Sequence, residues 1–265
     1  MTKKFYVIGN NVRKSLSPLI FNYWFKKKKI DALYAYKEIN IKDFDESVSN
    51  MLLENNVLGF NVTIPFKQMI IKKIKKVDKH AQNIGAVNCV IKKNNSWEGI
   101  NTDWIGFLSS IKKKNKVLKK NNVIVIGYGG AAKAIVYALQ QDGYKNIMIF
   151  NRTYEKIKNL KNIDNLYPIQ NEELLKRINN VDLVINTTPT NPLKNNVFSK
   201  TIQSASYDAV YKPKETDFLS CFSKNKRVYG ISLLLHQAVP CFERWFGFDP
   251  EIDSELIRLL DSHIQ

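Results

Sequence analysis

Residues 123–134, VIVIGYGGAAKA, constrain the fold of this chain more than any other stretch. An apolar, mostly β-branched run predicts a buried strand, and a glycine-rich turn then leads into a helical pattern. Strand, turn and helix in this order are typical of a dinucleotide-binding βαβ unit. Gly127 allows the tight turn, Gly129 lets the backbone approach a pyrophosphate, and Ala132 permits close contact between helix and strand. The predicted cofactor-binding turn comprises Gly127, Gly129, Gly130, Ala131 and Ala132.

Two domains are predicted around this unit. Further strand-like runs follow at the spacing of a parallel sheet, and they are Asn146–Phe150, Val181–Asn186, Tyr207–Tyr211 and Arg227–Gly230. The sequence therefore predicts an α/β protein whose C-terminal Rossmann domain, at 104–235, binds a dinucleotide. Residues 1–103 suffice for a separate N-terminal α/β domain that holds a substrate. We expect C-terminal helices within 236–265 to complete that substrate domain.

Composition excludes several classes of protein. The net charge of +17 suggests that the chain binds nucleic acid. However, its basic residues are scattered along the chain, with local runs at Lys26–Lys29 and Lys112–Lys120, and no zinc-finger spacing is present. No apolar window approaches the roughly 18 to 20 residues of a membrane span, and no stretch is typical of a signal peptide. Cys89, Cys221 and Cys241 lack metal-site spacing and are expected to be reduced, buried thiols. We therefore expect a cytoplasmic protein with no nucleic-acid, membrane or metal partner.

Two serines stand at a predicted helix start near the N-terminus. Ser17 precedes Pro18 and a helical apolar stripe, so Ser17 is predicted to cap that helix with Pro18 in its first turn. Ser15 lies beside it. A carboxylate could also bind at such a helix N-terminus, so capping and ligand binding both remain open for these residues.

Further polar residues follow at the ends of predicted elements. Lys67 comes just after the predicted strand Leu58–Ile64, in which Thr63 shares one face with Asn61. The segment 85–88, which ends with Asn88, is predicted to open another strand, and Asp103 is placed to cap the helix that follows. Taken singly, each has a structural explanation as a turn residue, a cap or a solvated lysine.

In combination these motifs resemble the shikimate dehydrogenase family. They are Ser15-Leu-Ser17, Asn61-Val-Thr63-Ile-Pro65-Phe-Lys67, Gly85-Ala-Val-Asn88 and Asn101-Thr-Asp103, in this order before the glycine turn. The similarity extends from about Phe5 to beyond Gln237. It implies that Ser15 and Ser17 hold the substrate carboxylate. The same resemblance assigns the substrate hydroxyls to Thr63, Asn88 and Asp103, proton transfer to Lys67 with Asp103, and further substrate contacts to Tyr211 and Gln237.

The chemistry of these side chains suits a small polyhydroxy acid. Hydroxyl and amide groups can read substrate hydroxyls, and donors can hold its carboxylate. Reduction of a ketone by hydride develops alkoxide character, which a positioned ammonium can stabilise and protonate. Lys67 can supply that ammonium, and Asp103 can fix it beside the reacting hydroxyl.

The end of the second Rossmann strand predicts NADP(H) as the cofactor. NAD-preferring sites carry an Asp or Glu near this point for the ribose 2′-hydroxyl, and this chain has none. Arg152 and Lys156 instead offer cations that a 2′-phosphate requires. The resemblance carries Asn151, Arg152 and Thr153 over as the set that selects NADP. It also places Ala209 beside the nicotinamide and includes Gly230 among the cofactor-binding residues.

Local departures from the family leave alternatives open. Tyr128 replaces a small residue within the turn, at a position that tolerates outward-pointing side chains and so still allows cofactor binding, and the loop Thr187–Pro192 reads TTPTNP. We expect an enzyme that reduces 3-dehydroshikimate to shikimate with NADPH, reversibly, in aromatic amino-acid biosynthesis. One alternative is a relative that accepts quinate and uses NAD, and another is a non-catalytic ligand sensor. Intact Lys67 and Asp103 argue against the sensor, and Arg152 argues against NAD. A homodimer remains open.

Overall fold

A computed structural model describes residues 1–94, 96–115, 118–194 and 200–264, without the side chains of 113–115. The chain divides into two compact units. The first unit comprises Met1–Asp103 with Gln237–His263, and the second comprises Trp104–His236 together with Ile264. The basic run Lys112–Lys120 and the C-terminal end of the segment 236–265 lie partly outside the described residues.

A mixed sheet of six strands forms the centre of the described first unit. Its strands are β1 (Lys3–Gly9), β2 (Ala32–Glu38), β3 (Val57–Val62), β4 (Lys76–Val77), β5 (Cys89–Lys93) and β6 (Ser96–Ile100). The strand order is β2-β1-β3-β5-β6-β4, with parallel pairing of β1 to both of its neighbours and antiparallel pairing of β5 to both of its own. One of its cores contains Val48, Phe60 and Phe66, each without exposed surface.

Helices of the first unit begin and end at recognisable signals. They include α1 (Ser17–Lys27), α2 (Phe44–Leu53) and α3 (Lys79–Ile84), with short 3₁₀ helices at Ile41–Asp43 and Met69–Lys73. Asp78 caps α3 by accepting a hydrogen bond from the backbone N–H of Ala81. Gly85 ends α3 with a left-handed backbone, φ +70°, which glycine adopts without steric cost.

A parallel sheet of six strands forms the centre of the second unit, as far as the structure describes that unit. Its strands are β7 (Asn122–Ile126), β8 (Asn146–Phe150), β9 (Leu166–Ile169), β10 (Leu183–Asn186), β11 (Ala205–Asp208) and β12 (Arg227–Val228). The order β12-β11-β10-β7-β8-β9 is that of a doubly wound Rossmann sheet, with its topological switch point between β7 and β10. The central strands are apolar except for Asn122 and Asn186 at their ends, as is typical of strands with both faces covered.

The helices after β6 in the chain are α4 (Asp103–Asn115), α5 (Gly130–Gln141), α6 (Asn171–Arg177), α7 (Asp217–Ser220), α8 (Ile231–Phe246) and α9 (Ser254–Asp261). Of these, α9 belongs to the first unit. Short 3₁₀ helices lie at Tyr154–Lys156, Lys158–Asn162 and Lys224–Lys226. On α5, Ala132 and Ile135 pack with Val123 and Val125 of β7 in one core cluster. Small Ala132 has no exposed surface, as close helix–strand contact requires.

Several predicted boundaries are wrong by a few residues. The predicted strand at 207–211 ends at Asp208, and the one at 227–230 ends at Val228. The segment 85–88 precedes β5 instead of opening it. Strand ends are decided by which neighbour remains available for pairing, so apolar side chains can extend beyond the last paired residue.

Candidate functional site

Lys67 and Asp103 form a close ion pair within the first unit. Lys67 Nζ donates to Asp103 Oδ2 over 2.6 Å, and the two side chains keep only 12% and 7% of their exposure. Lys67 lies in the turn after β3, ahead of the short helix Met69–Lys73, and Asp103 is the first residue of α4. The pair therefore holds an N–H donor directly against a largely buried carboxylate.

Asn88 holds the other side of that carboxylate. Its side-chain Oδ1 accepts from the backbone N–H of Thr102 at 2.7 Å, which fixes the orientation of the amide. Its Nδ2 donates to Asp103 Oδ1 at 2.8 Å and lies 3.2 Å from Gln237 Oε1. Each oxygen of Asp103 thus has its own donor, because Lys67 binds Oδ2. Asp103 is the predicted helix cap, but its carboxylate contacts these side chains instead.

The two N-terminal serines meet at the start of α1. Ser15 Oγ accepts from the backbone N–H of Ser17 and donates to Ser17 Oγ, both over 3.2 Å. The prediction that Ser17 caps the helix is wrong, because Leu16 is already helical (φ −87°, ψ 0°) and Ser17 is the first residue of α1. Its hydroxyl caps no backbone group. Both hydroxyls nevertheless lie side by side at a helix N-terminus.

Thr63 lies directly after β3 and is half-buried. The predicted strand Leu58–Ile64 extends too far, since β3 ends at Val62, and a shared face for Thr63 and Asn61 stays a prediction. The backbone N–H of Thr63 donates to Ile8 O at 2.9 Å, so Thr63 still lies beside β1. Thr63 follows the strand that leads to Lys67, as the motif order requires.

A buried polar chain behind Asn88 was missed by the sequence reasoning. Tyr34 donates its hydroxyl to Asn61 Oδ1 at 2.8 Å, and Asn61 Nδ2 donates to Asn88 O and to Cys241 Sγ, both at 3.1 Å. Thr102 Oγ1 lies 3.2 Å from the same sulfur. The available signal was Asn61 itself, a polar side chain inside an otherwise apolar strand.

The thiols agree only partly with their prediction. All three cysteines are free thiols. Cys89 and Cys241 are buried as predicted, whereas Cys221 is only half-buried. Burial raises the pKa of Cys89 and also that of Tyr34, because desolvation disfavours the charged forms. Both groups therefore stay protonated at neutral pH.

The glycine turn of the second unit has the geometry of a phosphate-binding turn. Gly127 has φ +99°, and a Cβ there would lie 2.4 Å from Thr187 Oγ1, so only glycine fits. A Cβ on Gly129 would meet no atom within 4 Å, so the space beyond it is open. Gly130 begins α5, and Ala131 follows it in the first turn. Unpaired N–H groups at this helix start suit a pyrophosphate.

The Tyr128 side chain lies partly against the core of the second unit. Its ring is half-buried and packs against the core cluster that contains Ala132. Lys133 Nζ lies 5.5 Å from the ring centroid, within range of a cation–π contact. Burial raises the pKa of Tyr128. An apolar ring gains more by packing on this core than by remaining in water.

The end of β8 presents unpaired cations. Arg152 and Lys156 are exposed, and neither forms an ion pair with any residue that the structure describes. Asn151 Nδ2 donates to the backbone oxygen of Thr153 at 2.8 Å, which shapes the turn around Arg152. These features suit an anionic group at this position.

The ends of β10, β11 and β12 bring the remaining predicted residues together. The backbone N–H of Ala209 donates to Asn186 O at 2.9 Å, and half-buried Tyr211 follows in the same loop. A Cβ on Gly230 would lie within 2.8 Å of three carbonyl oxygens of the segment 208–210. Glycine is therefore required where this loop passes the end of β12.

The described residues contain neither a cluster of metal ligands nor a membrane-spanning helix. Among the described residues, no group of three or more His, Cys, Asp or Glu side chains is placed to hold a metal ion. Within the same part of the chain, no helix combines the length and apolarity that crossing a membrane requires.

Comparison with known proteins places these features in a family. The family model of the shikimate dehydrogenase substrate binding domain matches residues 7–90, and that of shikimate / quinate 5-dehydrogenase matches residues 109–208. The shikimate dehydrogenase (NADP(+)) of Caldicellulosiruptor saccharolyticus is 34% identical over 97% of this chain and 97% of its own. That of Nitrosopumilus maritimus is 36% identical over 94% and 95%. The chain belongs to the shikimate dehydrogenase family.

Solved shikimate dehydrogenases have the same fold. The crystal structure of the Aquifex aeolicus shikimate dehydrogenase superposes with a TM-score of 0.87 at 32% identity, covering 98% of this chain and 97% of the other. The Thermus thermophilus shikimate 5-dehydrogenase in complex with shikimate gives 0.84 at 26% identity over 98% and 100%. The predicted family, the α/β fold class and an NADP-dependent dehydrogenase are thereby confirmed at the level of the family. The roles of individual site residues, the cytoplasmic location and a homodimer stay predictions.

Proposed function

We propose that this chain reduces 3-dehydroshikimate to shikimate with NADPH, reversibly, within aromatic amino-acid biosynthesis. The contact between Lys67 Nζ and Asp103 Oδ2 carries the proposal, because it joins an ammonium to a carboxylate, and a ketone reduction can use both groups. The first unit would bind the substrate, and the second unit would bind NADP(H).

The substrate would be held by side chains from separate elements of the first unit. The adjacent hydroxyls of Ser15 and Ser17 at the start of α1 suit its carboxylate. Thr63, Asn88 and Gln237 offer hydroxyl and amide groups for its ring hydroxyls. Asn88 and Gln237 contact each other at 3.2 Å, so both amides would be oriented before substrate binds.

Proton transfer would belong to Lys67. NADPH, when bound, supplies the hydride that reduces the ketone carbon. Negative charge then develops on the ketone oxygen, and Lys67 stabilises it and donates its proton to that oxygen. Asp103 keeps Nζ in place and accepts a hydrogen bond from the reacting hydroxyl. In the reverse direction, neutral Lys67 takes the hydroxyl proton as the hydride departs.

The residues present fit NADP. Open space beyond Gly129 and the start of α5 suit the pyrophosphate. Exposed Arg152, which forms no ion pair with any described residue, suits the 2′-phosphate. Ala209, Tyr211 and Gly230 lie at the carboxyl ends of parallel strands, where doubly wound folds bind their ligands.

One absorbance assay tests the proposed function. The purified chain is mixed with shikimate or quinate, each with NADP⁺ or NAD⁺, and nicotinamide reduction is followed. We expect turnover to be fastest with shikimate and NADP⁺. Lys67→Met provides the background, because a contaminating dehydrogenase would leave activity in that preparation.

The other outcomes identify the alternatives. Faster turnover with quinate or with NAD⁺ would replace the proposal by the broader quinate/shikimate activity. Shikimate binding by calorimetry without turnover in any combination would indicate a ligand sensor. If the chain neither bound nor turned over any of these substrates, it would have the fold of the family without its activity.

A further inference from the structure

The carboxylate of Asp208, at the end of β11, is buried without a cation. Asp208 is 1% exposed and forms no ion pair with any residue in the described part of the chain. Its Oδ1 accepts from the backbone N–H of Val210 at 3.0 Å and from Asn186 Nδ2 at 3.1 Å. Its Oδ2 accepts from the Thr216 hydroxyl at 2.6 Å, a distance typical of a charge-assisted bond. Burying a carboxylate away from water costs free energy, so a buried carboxylate without a cation needs an explanation.

These contacts close the loop that follows β11. Thr216 also caps α7, because its Oγ1 accepts from the backbone N–H of Leu219 at 3.2 Å. Asp208 therefore joins the end of β11 to the start of α7, and its bond to Val210 holds the loop between them. Ala209 and Tyr211 lie in this loop, one on each side of Val210.

The same carboxylate reaches a second loop through Asn186. Asn186 and Asp208 are register partners at the ends of β10 and β11. Asn186 Oδ1 accepts from the backbone N–H of Thr188 at 3.0 Å and from its hydroxyl at 2.7 Å. Asn186 Nδ2 also lies 3.4 Å from the backbone oxygen of Thr190. The loop Thr187–Pro192, which departs from the family pattern, is thus tied to Asp208.

We propose that Asp208 is a positioning residue for hydride transfer, because its carboxylate joins the loops after β10 and β11 at the carboxyl edge of the Rossmann sheet. That edge is where doubly wound folds hold the nicotinamide end of a dinucleotide. Both loops would have to keep one arrangement for the hydride-donating carbon of the nicotinamide to lie next to the ketone carbon that accepts the hydride. The inference rests on the proposed function, since it assigns Ala209 and Tyr211 to the bound reactants.

Kinetics of matched variants test the inference. Asp208→Ala removes all three contacts, whereas Thr216→Val removes the hydroxyl that binds Asp208 and caps α7, and Thr216→Ser restores both of these bonds. Ser206→Ala is the control, since Ser206 is fully buried on the same strand and its hydroxyl has no partner among the described residues. With 3-dehydroshikimate and NADPH deuterated at the transferred position, kcat and the primary isotope effect are measured.

We expect Asp208→Ala to lower kcat by roughly 10- to 100-fold, the range for a misplacement of about 1 Å, and to raise the isotope effect. Thr216→Val should lose less, while Thr216→Ser and Ser206→Ala should match the wild type. A purely structural role would reduce the number of active molecules and leave the isotope effect unchanged, which would overturn the proposal. If Asp208→Ala does not fold, Asp208→Asn takes its place, because it keeps the Oδ1 contacts and loses the acceptor for Thr216.

A second measurement does not depend on activity. Trypsin can cleave after Lys214 in the same loop, and exposed loops are cleaved when they open. We expect cleavage there to be several-fold faster in Asp208→Ala than in Ser206→Ala. Equal rates would overturn the positioning role even in an active enzyme. A wild type without turnover, but with this difference in cleavage, would count against the proposed function and leave the loop closure standing.

Discussion

At the scale of single residues, mutation can separate the proposed chemical role of the Lys67–Asp103 pair from its structural one. Lys67→Met should lower kcat by about 10² to 10⁴, the usual loss for general acid–base catalysis. It should also destabilise the fold, by up to about 3 kcal/mol, because it leaves the buried Asp103 carboxylate without its cation. Asp103→Asn keeps the shape of the side chain and should impair both turnover and substrate binding.

The double variant Lys67→Met/Asp103→Asn decides whether the two act together. Stability from urea unfolding should recover relative to Lys67→Met, since no unpaired charge remains, while kcat should stay near that of the worse single variant. Lys73→Met is the control, because Lys73 pairs with Asp45, whose side chain is 77% exposed. Losses of kcat that multiply would mean that Lys67 and Asp103 work independently.

Arg152 should decide the choice between cofactors. Arg152→Ala removes a proposed charge-assisted contact to the 2′-phosphate, so NADP⁺ binding should weaken by about 1.5 to 3 kcal/mol while NAD⁺ binding changes little. Calorimetric titration with each cofactor measures the difference. Arg177→Ala is the control, since Arg177 is an exposed arginine of the same unit that pairs with Glu173. An equal loss for both cofactors would show that Arg152 does not contact the 2′-phosphate.

At the scale of elements, Asp253 fastens α9 to α1 within the first unit. Asp253 caps α9 by accepting from the backbone N–H of Leu256 at 2.8 Å, and it also accepts from Tyr23 and Lys27 of α1. The N–H of Leu256 first, and then Lys27, hold the pKa of Asp253 well below its usual range. A depressed pKa means that the ionised form stabilises the fold.

Variants of Asp253 should separate its cap from its charge. Asp253→Ala should cost about 1 to 2 kcal/mol at pH 7, and Asp253→Asn should cost less because asparagine also caps helices well. The advantage of the wild type over Asp253→Asn should be present above pH ~4, the unfolded pKa of aspartate, and be lost as pH falls toward the depressed folded value. Urea unfolding at several pH values measures this. An advantage that stayed constant down to strongly acidic pH would exclude the charge as its source.

Element boundaries show which local signals competed. Ser17 and Asp103 both have the side chain of a helix cap, and neither acts as one. At α1 the backbone becomes helical one residue early, and at α4 the carboxylate has stronger partners in Lys67 and Asn88. Asp78 and Thr216, which had not been singled out, do cap their helices.

At the scale of the whole molecule, the net charge of +17 should assist anionic reactants. A positive surface raises the local concentration of anions, and salt screens this effect. Raising monovalent salt from about 0.05 to about 0.5 M should therefore lower kcat/KM for shikimate while kcat changes much less. A second monovalent salt provides the control for specific ion binding. A kcat/KM that does not respond to salt would remove any role for the excess charge in substrate capture.

The sequence by itself determined the family, the Rossmann unit and the order of the polar motifs. These features are local, because a glycine turn after an apolar strand and a motif at fixed spacing can be read without knowing what packs against them. Gly127 illustrates this, since its tight turn was predicted and its left-handed backbone is present.

Only the tertiary structure decided which side chains meet. Asn88 contacts Gln237 across 149 positions, and Asn61 contacts Cys241 across 180. Buried polar groups take whichever partner the packed strands and helices bring within hydrogen-bond distance, and no local pattern encodes that partner. For the same reason Asp208 was not singled out within the predicted strand 207–211, and only the register of β11 with β10 places it beside Asn186.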